Sequence, residues 1–198
     1  MKVMGTTIIV AFLVVLLASA GCSIGPLIAG KGATTASSGE PGEWDAAVIK
    51  AELKKLPQRY DPEKAVEDGC FVILHGKLQS EAKLADDFAA AAKEGQAASL
   101  RIVQYTVEGD AIIMHVDYRD GEFHALSDVS RDHFGGFGSE PVEYSMPYLA
   151  VFDEDDKQVA YLVEEDDLSL ADITAKINQN QDPNGPADLI MLYQYGKG

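Results

Sequence analysis

Cysteine is nearly absent from this chain: 198 residues hold two, Cys22 and Cys70. With Cys22 taken up by lipidation, as argued below, no disulfide can form within the chain, so the core alone must hold the fold. Cys70 opens the apolar run Cys70-Phe71-Val72-Ile73-Leu74 with no activating His or Asp beside it. It reads as a buried structural thiol rather than a nucleophile. Cationic residues are also scarce, 16 Lys and Arg against 32 Asp and Glu, for a net charge of -16. Such a surface repels phosphate backbones and anionic headgroups, which excludes nucleic acid as a partner and a basic face that tracks along a membrane. The acidity serves solubility more simply than it serves a cationic ligand.

Signature motifs are sparse too. His-Glu-x-x-His does not occur. Phe134-Gly135-Gly136-Phe137-Gly138 has no strand-to-helix turn with a following lysine, so it is not a phosphate cradle. The acidic runs Asp153 to Asp156 and Glu164 to Asp167 lack the spacing of a calcium loop and read as solvated turns.

What is present is concentrated at the start. Lys2 precedes an apolar run from Ile8 to Ala18 that closes on Ser19-Ala20-Gly21-Cys22. The run is too short to span a bilayer comfortably, and small residues ahead of a cysteine suit cleavage before a thiol that carries diacylglycerol. Residues 1–21 are therefore expected to be a lipoprotein signal peptide, with lipidated Cys22 as the first mature residue and a palmitate-type anchor on the extracytoplasmic face of the membrane. An uncleaved helix and an ordinary secretory signal are the alternatives. Residues 23–42 are rich in Gly, Ala, Ser, Thr and Pro, and read as a flexible tether. From Glu43 onward about 155 residues remain, enough for one domain.

Ala46, Ile49, Leu53 and Leu56 recur at helical spacing before Pro57, and Asp61-Pro62-Glu63 starts a second short helix. Cys70 to Leu74 reads as a strand. Ser80 is expected to cap a helix bearing Leu84, Phe88 and Ala91 that ends near Gly95. Leu100 to Val107, Ala111 to Tyr118 and Glu122 to Asp128 alternate around Gly109-Asp110 and Asp120-Gly121, which predicts a three-stranded meander with two-residue turns. In that register Tyr105 faces Met114, Val103 faces Val116, and Asp117 faces His124. Tyr148 to Phe152 and Val159 to Val163 form a second hairpin, Leu170, Ile173 and Ile177 mark a last helix capped by Asp167 or Ser169, and Leu189 to Tyr193 a final strand. The expected class is α+β: an antiparallel sheet built around the meander of about residues 100–128, with helices on one face.

Several segments resemble a bacterial lipoprotein domain of unknown function, the family numbered 4362. They are Tyr60-Asp61-Pro62-Glu63-Lys64-Ala65, Gly69 with Val72 and His75-Gly76, Arg101 to Thr106, Glu108-Gly109-Asp110, and Ser130 to Gly136, in order through roughly residues 58–140. The chain departs from the family pattern at Cys70 and Ala111. The resemblance implies an extracytoplasmic lipoprotein, supplies no activity, and marks His75, Arg101, Glu108, Asp110, Arg131 and Asp132 as candidate binding residues. Arg101 and Arg131 suit either a carboxylate clamp completed by His75 or ion pairs that pin a loop.

The predicted meander also puts Gln104, His115, Asp117, Arg119, Glu122, His124 and Asp128 on one polar face. His115, Asp117 and His124 are the weak candidates for a metal or an acid–base pair, against the plainer reading of a solvated sheet face. No catalytic residue and no cofactor is assigned. The function expected is a non-catalytic binding module, anchored through Cys22, for an unknown envelope protein or small ligand. The alternative is an enzyme or metal protein with an unfamiliar His/Asp/Arg site.

Overall fold

The computed structural model describes residues 44–134, 140–179 and 187–197. The expected signal peptide, Cys22, the expected tether and residues 135–139 of the glycine-rich loop lie outside the described residues. Two short helices come first. α1 (Ala46–Leu53) is capped by Asp45, whose carboxylate accepts from the N–H groups of Ala47 and Val48 at 2.9 and 3.1 Å. α2 (Pro62–Glu67) has Asp61 as cap and Pro62 in its first turn, as the sequence predicts. After β1 (Phe71–Leu74) and β2 (Lys77–Leu78) comes α3 (Lys83–Lys93). Ser80 does not cap α3: its hydroxyl accepts the Val72 N–H at 3.0 Å, and α3 starts without a side-chain cap. Gly95, at φ 73°, closes the helix as expected, with its N–H and that of Gln96 turned back onto Ala92 and Ala91.

The remaining elements are β3 (Ala98–Tyr105), β4 (Ala111–Arg119), β5 (Glu122–Asp128), β6 (Val142–Met146), β7 (Tyr148–Glu154), β8 (Lys157–Val163), α4 (Leu170–Gln179) and β9 (Leu189–Gly196). Ser169 caps α4 through a reciprocal pair of bonds with Asp172. The strands form one nine-stranded sheet in the order β6-β5-β4-β3-β1-β2-β9-β8-β7. This overturns the antiparallel α+β sheet. β1 runs parallel to β3, joined through α3 as a βαβ crossover, and β2 runs parallel to β9, so the sheet is mixed.

The helices do not share one face either. α3 packs on the face that carries Phe71, Ile102, Met114, Val116 and Phe123, a core shared with Leu162, Leu192 and Tyr193 of the other half. α1 and α2 cover the opposite face of β1 and β3–β5, over Val72, Val103, Tyr105, Ile113 and Leu126. α4 contributes Leu170 and Ile173 to a third cluster, with Val159, Tyr161 and Val163. Only Pro147 separates β6 at one end of the strand order from β7 at the other, so the sheet curls enough to bring the end of one edge strand to the start of the other. The α3 face is the inside of that curl.

One of the two turns was misread. Asp120 and Gly121 both adopt positive φ, 54° and 85°, and the resulting two-residue turn sets Tyr118 opposite Phe123 and Asp117 opposite His124 as expected. The first hairpin instead has a three-residue loop, Val107-Glu108-Gly109. Gly109 N–H closes on Thr106 O, and Thr106 N–H takes Asp110 O. Tyr105 therefore lies opposite Ala111, Val103 opposite Ile113, and Met114 opposite Ile102. The slip is three residues, and an odd slip exchanges faces. Gln104 consequently leaves the expected polar face and donates to Leu192 O at 2.9 Å, while Arg101 joins that face directly across from His115.

Candidate functional site

The outer face of β3–β6 carries a polar basin between the apolar floor under α1 and the open end of the sheet. Its rows follow from the register: Arg101, His115, Leu126 and Glu143 in one, Ser99, Asp117, His124 and Ser145 in the next. Arg119 and Glu122 follow as a cross-strand pair. Trp44 roofs the basin, its indole stacked on His124 at 5.2 Å and on His115 at 6.3 Å between ring centroids. Trp44 Nε1 donates to Glu143 Oε1 at 2.9 Å. Glu52 of α1 reaches Arg101 Nη2 at 3.2 Å, and Ser145 Oγ lies 3.2 Å from His124 Nδ1.

Three nitrogens in this basin are buried and have no hydrogen-bond partner: Arg101 Nε, His115 Nδ1 and Arg119 Nε. Buried polar atoms without partners are rare, and three on one sheet face require an explanation. The electrostatics agree. Burial lowers the His115 pKa from 6.5 to about 4, with Arg101 and Arg119 adding to the effect, so the imidazole is neutral at pH 7. Burial also raises Asp117 above the usual carboxylate range, although Arg119, which pairs with it directly, and His124 both oppose this. The basin thus combines two fixed cations, the neutral His115 imidazole and the crowded Asp117 carboxylate, with His124, Glu52, Glu122 and Glu143 around them.

Asp117, His115 and His124 lie together on one face as expected. Among the described residues, however, no group of three or more His, Cys, Asp or Glu is arranged to hold a metal ion. Two guanidinium groups beside the imidazoles disfavour a further cation.

The motif residues are not assembled into one pocket. His75 and Gly76, at φ 51° and 72°, make the tight turn between β1 and β2. Glu108 is exposed in the three-residue loop. Asp110 accepts both the backbone and the ring N–H of His133, at 2.9 and 3.0 Å, which holds its carboxyl below the usual range. Asp132 Oδ1 accepts the Phe134 N–H. Arg131 is only 3% exposed. It donates to Asp128 Oδ2 at 2.6 Å and to the carbonyls of Leu53, Leu56 and Pro57 at 2.7, 3.2 and 3.0 Å. These bonds fasten the C-terminal end of α1 to β5 and leave no free edge for a ligand. Of the six motif residues, Arg101 alone belongs to the basin.

Three features were missed in the sequence. Trp44 precedes the first helix and matched no pattern. A Ser-x-x-Lys spacing at Ser80–Lys83 was overlooked, but the structure turns the two apart, with Ser80 on Val72 and Lys83 on Asp87. A Gly-x-Ser-x-Gly match at residues 21–25 straddles the expected cleavage point, outside the described residues. Cys70 is buried beside Tyr60, and burial raises its thiol pKa, as a structural cysteine requires.

No curated protein and no solved structure matches the chain. One family model does, over residues 69–162. The match runs from the residue before Cys70 into β8, past the limit near residue 140 expected from the motifs. It contains every basin residue of β3–β6, leaving Trp44 and Glu52 outside. By that match, residues 69–162 of this chain are a domain of unknown function of the DUF4362 family.

Proposed function

We propose that this protein is an extracytoplasmic binding domain, tethered to the membrane through lipidated Cys22 and performing no chemistry of its own. The anchor rests on the sequence: a short apolar run closing on Ser19-Ala20-Gly21-Cys22. Among the described residues no helix is long and apolar enough to cross a membrane. Twenty residues of Gly/Ser-rich tether have a root-mean-square reach of about 25 Å, which leaves the domain free to meet a partner beside the lipid surface. The binding role is carried by one observation, the unpartnered Arg101, His115 and Arg119 nitrogens on the sheet face that Trp44 covers at His115 and His124. A fold's function lies in its sites, and these unpartnered guanidinium and imidazole nitrogens suit the holding of a ligand.

Two measurements test the reading. Cys22→Ala should release the protein from the membrane fraction or leave it as unprocessed precursor, whereas a cleaved, still membrane-bound product would overturn the anchor. A photo-crosslinker at Ser145, on the basin rim, should trap a discrete envelope component in intact cells, and one at Lys157 should not. Equal trapping from both positions, or none from Ser145, would remove the basin as the binding face.

A further inference from the structure

We propose that the basin under Trp44 is a binding site for a single carboxylate, held by Arg101 beside His115, with the Trp44 indole as a roof that lifts to admit it. The inference deepens the binding reading above and rests on it. Each guanidinium already gives Nη2 to a carboxylate of the chain, Arg101 to Glu52 and Arg119 to Asp117. Each keeps a buried Nε–H with no acceptor, and His115, directly across the strand pair from Arg101, leaves its Nδ1 unpartnered, whereas Arg119 lies four residues further along β4. An incoming group must therefore bring acceptors, and planar oxygens match the guanidinium edge.

Charge narrows the class. Arg101 and Arg119 are offset by Glu52 and Asp117, and Glu122 and Glu143 stand at the rim, so a monoanion is the most negative group the site takes, while a phosphate dianion or a polyanion meets all of these carboxylates and a chain of net charge -16. The two imidazoles and the indole provide flat aromatic surface for whatever the carboxylate is attached to.

The roof is lightly held. Trp44 precedes the Asp45 cap, so its movement does not require α1 to unwind. Among the described residues the stack on the histidines, the bond to Glu143 and packing at the edge of the α1 core restrain it. A closed roof reduces apparent affinity by the fraction of time the site is open, so loosening it should tighten binding.

Trp44 is the only tryptophan, and its fluorescence reports its removal from the histidines directly. The soluble domain is titrated with N-acetyl-glycylglycine, its C-terminal amide, sodium acetate and inorganic phosphate, at ionic strength matched with sodium chloride, with calorimetry in parallel. The acid should give a saturable change, acetate a weaker one at the same site, and the amide and phosphate none. Arg101→Lys, which keeps the charge and loses the Nε–H edge, should weaken the acid by at least about tenfold. Glu143→Ala should tighten it severalfold.

Equal response to acid and amide overturns the carboxylate class. Stronger binding of phosphate does the same while leaving the basin a binding site. Heat without any change in fluorescence overturns the roof. No response to any probe, together with discrete crosslinking at Ser145, defeats this inference and spares the binding reading; no response and no crosslinking defeats both.

Discussion

Arginine is used in two ways on the same face of this sheet. Arg131 is the more deeply buried, yet it is bonded through Nε and both terminal nitrogens to Asp128 and to three carbonyls at the end of α1. Arg101 and Arg119 are more accessible, yet each leaves a buried Nε without an acceptor. Burial alone would have ranked them the other way. What separates a pin from a site is whether the chain itself supplies the acceptors, because an unmet donor is costly unless something else meets it. The neighbouring carboxylates follow the same division. Burial would raise Asp128, but Ser130 and Arg131 hold it below the usual range, whereas Asp117 is left above it.

The largest expected effect lies on the pin. Arg131→Ala strands a buried Asp128 and three carbonyls, and should cost about 3–5 kcal/mol in urea-melt stability. Arg131→Lys should cost about 1–3 kcal/mol, since one ammonium cannot serve positions that a planar fork serves together. Replacing Asp128 by Asn in the Arg131→Ala background should restore little, because the α1 carbonyls remain without a donor. A cost below about 1 kcal/mol for Arg131→Ala would erase the comparison.

A middle effect is expected from pH. His115 titrates near 6.5 when unfolded and about 4 when folded, so between these values the unfolded chain binds more protons. Stability is then full above pH 6.5 and falls as pH drops toward 4, by up to about 3 kcal/mol from this residue. The groups facing it are Arg101, Arg119, Asp117 and His124, with Trp44 above. Asp117, raised in the fold, works in the opposite sense, and Asp128, lowered, adds its own loss at still lower pH. The difference between wild type and His115→Gln isolates the histidine. Melting temperatures that fall in parallel from pH 7 to 4.5 would show that His115 is not held neutral.

How much of this was legible follows from how local each determinant is. Asp61-Pro62, Gly95 and Asp120-Gly121 each encode their geometry within a few residues, so α2, the end of α3 and the β4–β5 turn were readable. Gly109 was ambiguous, because Gly-Asp suits a two-residue turn and the same glycine also closes a three-residue loop. Alternation did not decide between them, since β3 and β4 are apolar on both faces: Leu100 and Ile102 are buried on one side, Val103 and Tyr105 on the other. The resulting slip hid Arg101 from His115, and with it the basin, even though His115, Asp117, Arg119, Glu122 and His124 were placed together correctly. The parallel pairing of β1 with β3 was marked by the strand–helix–strand order of Cys70 to Leu74, the helix ending near Gly95 and the strand from Leu100, a signal that the single short crossover left easy to pass over. β6, flanked by Pro141 and Pro147, was missed because its prolines suggest a loop, and edge strands are where such prolines are tolerated.

The smallest expected effect on stability is also the sharpest test of the division. Arg101→Gln removes one partly exposed ion pair, with Glu52, and relieves a buried nitrogen that has no acceptor. Exposed pairs contribute about 0–1 kcal/mol, and loss of the unmet donor offsets part of that, so the melt should move by less than about 1 kcal/mol in either direction. His115 should meanwhile titrate higher, since one of the cations that disfavours its protonation is gone. This is measurable by following its ring protons through pH 4–7. A large loss of stability would make Arg101 a second pin and place both arginines in one class. An unchanged melt with a shifted His115 would keep them apart, since a residue whose removal the fold barely registers, but whose charge the basin registers at once, is serving the basin rather than the fold.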